Sequence, residues 1–255
     1  MRNIKIVLEY EGTNYCGWQT QNRRSSCDVR RSTRSVQETL EKALLQILQK
    51  KTKVIGSGRT DSGVHAEAQV ASFLTDTQMD LKQLSRALNG VLPKDIKIAR
   101  IQEVSNKFHA RFSAKSKLYR YTVVNNQYAS PFIRQYAHLV KQPLDVKRMR
   151  QAAKYFLGRH DFRSFQAADK KQRHSVRKIL LLDIKKRADL IQLYIEADGF
   201  LYKMARNIAG TLIEVGRGRL LPPDIAKILK TKDRKYAGPC APARGLCLMR
   251  VKYKS

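Results

Sequence analysis

The chain is predicted to be an α+β protein made of two ferredoxin-like halves, each a βαββαβ unit with an antiparallel sheet, with a basic cleft between them. Three observations predict it. Segments of alternating polarity and of helical period follow one another as strand-helix-strand-strand-helix-strand. The same order returns in the second half without a return of the sequence, and this divides the chain into residues 1–106 and 107–255. The length of 255 residues with 42% hydrophobic residues suits two modest domains, each with a core of its own.

Ile4, Ile6, Leu8 and Tyr10 alternate with polar residues and predict a half-buried first strand. Ser35-Val36-Gln37-Glu38 is a capping box, and Val36, Leu40, Ala43, Leu44 and Ile47 follow on one helical face. Strands are expected at Lys53–Arg59 and Ala68–Leu74, flanking a loop. Asp80 with Gln83 caps a second helix carrying Leu81, Leu84 and Leu88, which Asn89-Gly90 should close. Ile96, Ile98 and Ile101 mark the strand that ends the first half. In the second half, strands are expected at Lys117–Asn125 and near Ile133–Val140, then a helix over Asp145–Leu157. Strands at Ile179–Lys185 and Leu190–Ala197 precede a helix over Leu201–Val215. A Pro-started helix, Pro222–Leu229, and a strand, Gly245–Tyr253, finish the chain. The segment Asn22–Arg34, with five arginines against Asp28, fits neither unit and is read as a basic insert.

The charge balance narrows the partner. Lys and Arg number 51 against 21 Asp and Glu, a formal net charge of +30. Such a surplus opposes compaction, and a polyanion resolves it; nucleic acid leads and an anionic membrane surface follows. The four cysteines form no C-x-x-C pair, which favours a reducing compartment over a disulfide framework. The five histidines show no metal-ligand spacing, so no metal is expected. No apolar run suits a signal peptide or a bilayer span, and a cytoplasmic protein is expected, although the matrix of an organelle would suit the same features.

Within Gly58-Arg59-Thr60-Asp61-Ser62-Gly63-Val64-His65-Ala66, one carboxylate stands between an arginine and a glycine turn at a strand end. Two readings stand: an Asx-turn in which Asp61 bonds its own backbone, and an acid aimed by a rigid strand at a ligand that the glycines admit. Arg206 lies off the apolar stripe of its helix, beside Lys203 and Gly210. A solvated helix face explains it, but a mid-helix glycine costs about 1 kcal/mol against alanine and asks for a close approach by another segment. If the halves face each other, Arg206 can meet Asp61 and keep it ionised. Tyr119 and Tyr121 share one strand face, either as core or, in this basic setting, as a platform for an unstacked base.

The nonapeptide, followed by Gln69-Val70-Ala71-Ser72-Phe73, resembles the active-site segment of the tRNA pseudouridine synthase A family. The resemblance runs on through Tyr10–Gln19, Ser35–Glu38, Leu88-Asn89 with Leu92–Ile96, Phe108–Ala114 and Tyr119-Arg120-Tyr121. It continues at His160-Asp161-Phe162, Phe200-Leu201-Tyr202, Met204, Arg206-Asn207, Val215-Gly216, Ala241-Pro242-Ala243 and Gly245-Leu246. It implies the pseudouridine synthase fold and isomerisation of uridine to pseudouridine in the anticodon stem-loop of tRNA, typically at positions 38 to 40. It also implies a homodimer that needs no cofactor or metal. By position Asp61 would be the nucleophile and Tyr119 the residue stacking on the target base. Arg206 would partner Asp61, and Arg59 would help displace the nucleotide. Two departures stand out: the 22–34 insert is longer than the family's usual connection, and Lys203 and Ala205 replace residues commonly His and Val.

Two rivals were weighed. A non-catalytic RNA-binding module would need an aromatic RNP pattern on a central strand, and no segment supplies one. A metal-dependent nuclease built on Asp61, Glu67 and Asp76 lacks a spacing that gathers them.

Overall fold

The computed structural model describes residues 1–19, 34–168 and 174–253. The basic segment 22–33 lies outside the described residues. Five helices and ten strands make up the described α+β chain, which divides into two compact units. One comprises Met1–Lys115 with Leu248–Ser255 and the other Ser116–Cys247, so residues 107–115 and all but the first two residues of the last strand group with the first unit.

In the first unit, β1 (Arg2–Tyr10), α1 (Val36–Leu48), β2 (Ile55–Gly56), β3 (His65–Thr75), α2 (Leu81–Val91) and β4 (Ile96–Val104) follow the expected order. β1 lies between β4 and β3, β2 pairs with the far side of β3, and all three pairings are antiparallel. This is the ferredoxin-like arrangement. Ile4, Ile6 and Leu8 of β1 are fully buried, together with Leu40 and Leu44 of α1 and Leu84 and Leu88 of α2. The caps form as the residue types require: Ser35 Oγ accepts from Glu38 N at 3.1 Å, and Asp80 Oδ2 accepts from Lys82 N at 2.8 Å.

Two local expectations in this half are corrected. The strand expected over Lys53–Arg59 shrinks to Ile55–Gly56: Ser57 N–H still donates to the Val70 carbonyl of β3 at 2.7 Å, but the chain bends at Ser57-Gly58 and leaves the ladder. Asn89-Gly90 does not close α2, which continues to Val91. Asn89 instead uses its amide as a strand surrogate, accepting from Ile98 N at 2.8 Å and donating to Ile98 O at 3.0 Å.

In the second unit, β5 (Ala114–Val124), α3 (Val146–Lys154), β8 (Val176–Arg187), β9 (Leu190–Ala197) and α4 (Met204–Gly216) repeat the first five elements in kind. β9 sits between β5 and β8, as β3 sits between β1 and β2, and both pairings are antiparallel. β6 (His138–Leu139) is all that forms of the strand expected near Ile133–Val140. An unexpected strand, β7 (Gly158–Asp161), pairs with the start of β8. Its sequence, GRHD, has no apolar alternation to announce it. α5 (Asp224–Thr231) and β10 (Leu246–Tyr253) complete the chain.

Candidate active site

Asp61 is carried by the irregular link between β2 and β3, and the geometry of that link is set by hydrogen bonds on both sides. Buried Thr60 accepts the Trp18 N–H on its carbonyl at 3.1 Å, and its hydroxyl meets the Tyr10 hydroxyl at 2.8 Å. Asp61 opens a turn closed by Val64 N to Asp61 O at 3.2 Å, with Gly63 at φ +77°, a value that disfavours any side chain. Gly63 N and Ser62 Oγ both reach the Tyr15 carbonyl, at 3.3 and 3.2 Å. One ring nitrogen of buried His65 accepts from Gly12 N at 3.1 Å. Upstream, fully buried Gln69 accepts from Ser57 Oγ at 2.6 Å and donates to the Gly58 carbonyl at 3.1 Å.

The loop is therefore fixed by the Tyr10–Trp18 segment below it and by Gln69 on β3. Asp61 is left half-buried and Arg59 exposed on the same rigid link. The turn that forms here is closed by the backbone carbonyl of Asp61 rather than by its side chain, so it is not the Asx-turn that one reading of this sequence expects. Tyr15 is itself anchored: its hydroxyl donates to Asp95 at 2.6 Å, and burial together with Asp95 pushes its ionisation well above the ordinary tyrosine range.

The second unit carries the other two candidates. Every residue of α4 except Arg206 is buried, which overturns the solvated-face explanation for this arginine. Arg206 is half-buried, and its Nε donates to the Ala241 carbonyl at 2.8 Å while Ala241 N donates back to Arg206 O at 3.2 Å. The expected close approach at Gly210 is present: a Cβ there would overlap the Pro239 carbonyl oxygen. Gly238 N also donates to Thr211 Oγ1 at 2.9 Å, so residues 238–241 lie directly on the helix backbone. Asn207, fully buried, ties α4 down further by donating to Phe165 O at 2.7 Å and accepting from Arg234 at 3.1 Å.

Tyr119 and Tyr121 are both buried on β5. The Tyr119 ring meets Phe200 edge-on, with centroids 4.9 Å apart. The Tyr121 hydroxyl donates to the Pro242 carbonyl at 3.0 Å, and burial raises its ionisation against the opposing pull of Arg206 and Arg244. The Ala241-Pro242 carbonyls thus serve Arg206 and Tyr121 in turn. Sequence reasoning named Asp61, Arg59, Tyr119 and Arg206 but gave no role to Thr60, Gln69, Asn207 or the Ala241-Pro242 backbone. Their signal was slight: a buried glutamine on a strand and an Ala-Pro pair carry no periodicity.

Among the described residues, no group of three or more His, Cys, Asp or Glu stands close enough to hold a metal ion. Among the same residues, no helix is long and apolar enough to cross a membrane.

A family model described as tRNA pseudouridine synthase matches residues 6–113 and 152–254. Asp61, Arg59 and Arg206 fall within those segments, and Tyr119 falls between them. The chain is 44% identical over 253 residues to tRNA pseudouridine synthase A 2 of Clostridium perfringens (strain 13 / Type A), covering 99% of this chain and 100% of that protein. Over 253 residues it is 43% identical to tRNA pseudouridine synthase A of Thermoanaerobacter sp. (strain X514), with the same coverage. It is 44% identical over 254 residues to tRNA pseudouridine synthase A of Geobacter sp. (strain M21), covering 99% of each. The chain belongs to the tRNA pseudouridine synthase family.

Proposed function

We propose that this protein isomerises uridine to pseudouridine in the anticodon stem-loop of tRNA, at positions 38 to 40, as a cytoplasmic homodimer without cofactor or metal. The observation that carries the reading is the match to tRNA pseudouridine synthases along nearly the whole chain, with Asp61 on a loop fixed from both sides. Asp61 is the nucleophile. Arg59, exposed beside it, enters the space vacated by the extruded nucleotide and contacts phosphate. Tyr119 replaces the stacking that the base loses on leaving the helix. Arg206, its Nε held by the Ala241 carbonyl, contacts the substrate.

The physical demands agree with these roles. Extruding a stacked base costs a few kcal/mol, which a cation and an aromatic ring repay only if they are already in place. Arg206 and the Tyr119 ring are both fixed by neighbours in the structure. The reaction breaks the C1′–N1 glycosidic bond, turns the base and joins C1′ to C5, and the hydrogen on C5 leaves as a proton. An ionised Asp61 serves an adduct on the sugar, an adduct on the base, or abstraction of a sugar proton to give a glycal. A carboxylate on a fixed loop, beside an exposed arginine, suits each of them.

The test is release of tritium from tRNA labelled at uracil C5. The wild-type protein should release label in step with pseudouridine formation. Binding of tRNA without any release would leave only an RNA-binding module.

A further inference from the structure

The first unit has a second feature that none of the assigned roles uses. At the end of β3 remote from Asp61, a cavity of ≈ 440 Å³ opens among Lys51, Lys53, Lys107, Asn106, His109 and the Ser72–Asp76 stretch. From His65 to Ser72 or Thr75 is seven to ten strand residues, which places it roughly 23–33 Å along β3 from the Asp61 loop. A uracil at Asp61 cannot reach it; RNA flanking the target can.

Its walls are built. Asn3, nearly fully buried, donates to the carbonyls of Ser105 and Phe108 at 2.9 Å each and fixes the turn that presents Asn106 and Lys107. Ser72 Oγ accepts from Ala110 N at 3.3 Å and holds the following segment against β3. His109 accepts the Arg111 and Phe112 N–H groups on Nδ1, both at 3.2 Å, which leaves Nε2 as its donor. Four lysines (Lys50, Lys51, Lys53 and Lys107) against one acid, Asp76, stand beside an apolar wall of Met1, Ile55, Phe73, Leu74 and Phe108. Lys50 is engaged with Asp76 at 2.5 Å, so three lysines without an ion pair among the described residues remain.

The chemistry selects a ligand. Lysines are compact point charges that suit phosphate without imposing the planar fork by which arginine reads carboxylates and guanine edges. Lysines with amide and imidazole donors beside an apolar wall therefore match a phosphodiester backbone, whose phosphates meet the cations while its sugars cover the apolar residues. We propose that this cavity is an RNA-backbone subsite, which grips phosphates of the substrate tRNA far from the target uridine and sets the orientation of the tRNA on the first unit. The proposal rests on tRNA being the substrate.

The test is the triple variant K51Q/K53Q/K107Q beside K51R/K53R/K107R, with tRNA affinity measured across a KCl series. The Gln variant should bind tRNA roughly ten-fold more weakly near physiological salt, with the slope of log K against log [salt] reduced by about 2 to 3. Turnover at saturating tRNA should be unchanged, and the Arg variant should bind like wild type. Hydroxyl-radical footprints should lose protection at backbone positions away from the modified uridine. Unchanged affinity and slope, or protection lost only at the target uridine, would overturn the subsite. A wild-type protein that binds tRNA but releases no tritium would fail the isomerase reading instead, and the salt and footprint results would still decide the subsite.

Discussion

Gln69 shows how a residue with no chemistry of its own can hold the loop that carries the proposed nucleophile. Its side-chain amide is fully buried and spans Ser57 and Gly58, the residues leading into Arg59 and Asp61. Replacing it with leucine strands the Ser57 hydroxyl and the Gly58 carbonyl in the interior, a loss of about 1–3 kcal/mol. A shift of about 1 Å at Asp61 would cost about 10²-fold in rate. Gln69→Leu is therefore expected to lower the urea midpoint modestly and kcat severely, with tRNA affinity nearly intact. A kcat that falls only with the folded fraction would show that Gln69 does not position the acid. At this scale the sequence alone left Asp61 between a structural turn and an active-site acid, and the family resemblance made it the candidate. The groups that hold it did not stand out, since hydrogen bonds between Thr60 and Tyr10, or between Gln69 and Gly58, depend on which strands become neighbours.

At the scale of elements, two glycines in two helices make opposite predictions. Gly210 lies under the Pro239 carbonyl, whereas nothing stands within 4 Å of the Cβ position at Gly90 in α2. Gly210→Ala must push the 238–241 segment off α4 and should destabilise by about 1–3 kcal/mol. It should also disturb Arg206, whose Nε depends on Ala241. Gly90→Ala should stabilise by up to about 1 kcal/mol through helix propensity. Chemical denaturation of both variants checks the pair, and equal effects would mean that the close approach at Gly210 carries no weight. Helices and long strands were legible because burial imposes a period on them. The Asn89-Gly90 stop was misread because a C-terminal signal gives the residue types but not their partners, and Asn89 found its partner in β4. β7 escaped because its four residues, GRHD, at a sheet edge carry no apolar period, and the choice between a solvated and a covered face for Arg206 stayed open because the 238–241 segment that covers α4 comes from more than thirty positions away in sequence.

For the whole molecule, the excess of positive charge makes pH a sensitive variable. His138 is held down to about 4 from its ordinary 6.5, by burial first and then by Arg244 and Arg217. A base whose folded value is depressed leaves stability intact above the unfolded value of 6.5 and erodes it as pH falls toward 4. Thermal melts should drop over that window, and His138→Gln should flatten part of the drop. An identical pH profile for the variant would remove His138 from the account. Charge had already indicated a polyanionic partner, and the order of periodic segments the α+β class. They could not indicate how many places on the surface grip RNA, since lysines scattered over Lys51, Lys53 and Lys107 converge only once β3 and the 105–110 turn are built.

The central claim is that Asp61 performs the isomerisation. Single-turnover release of tritium from C5-labelled tRNA, by wild type and Asp61→Asn, tests it most directly. A loss of about 10³-fold or more is expected in the variant with tRNA affinity changed by no more than about three-fold, since the interaction removed belongs to the reaction and not to binding. Release by Asp61→Asn at a rate near that of wild type would contradict it.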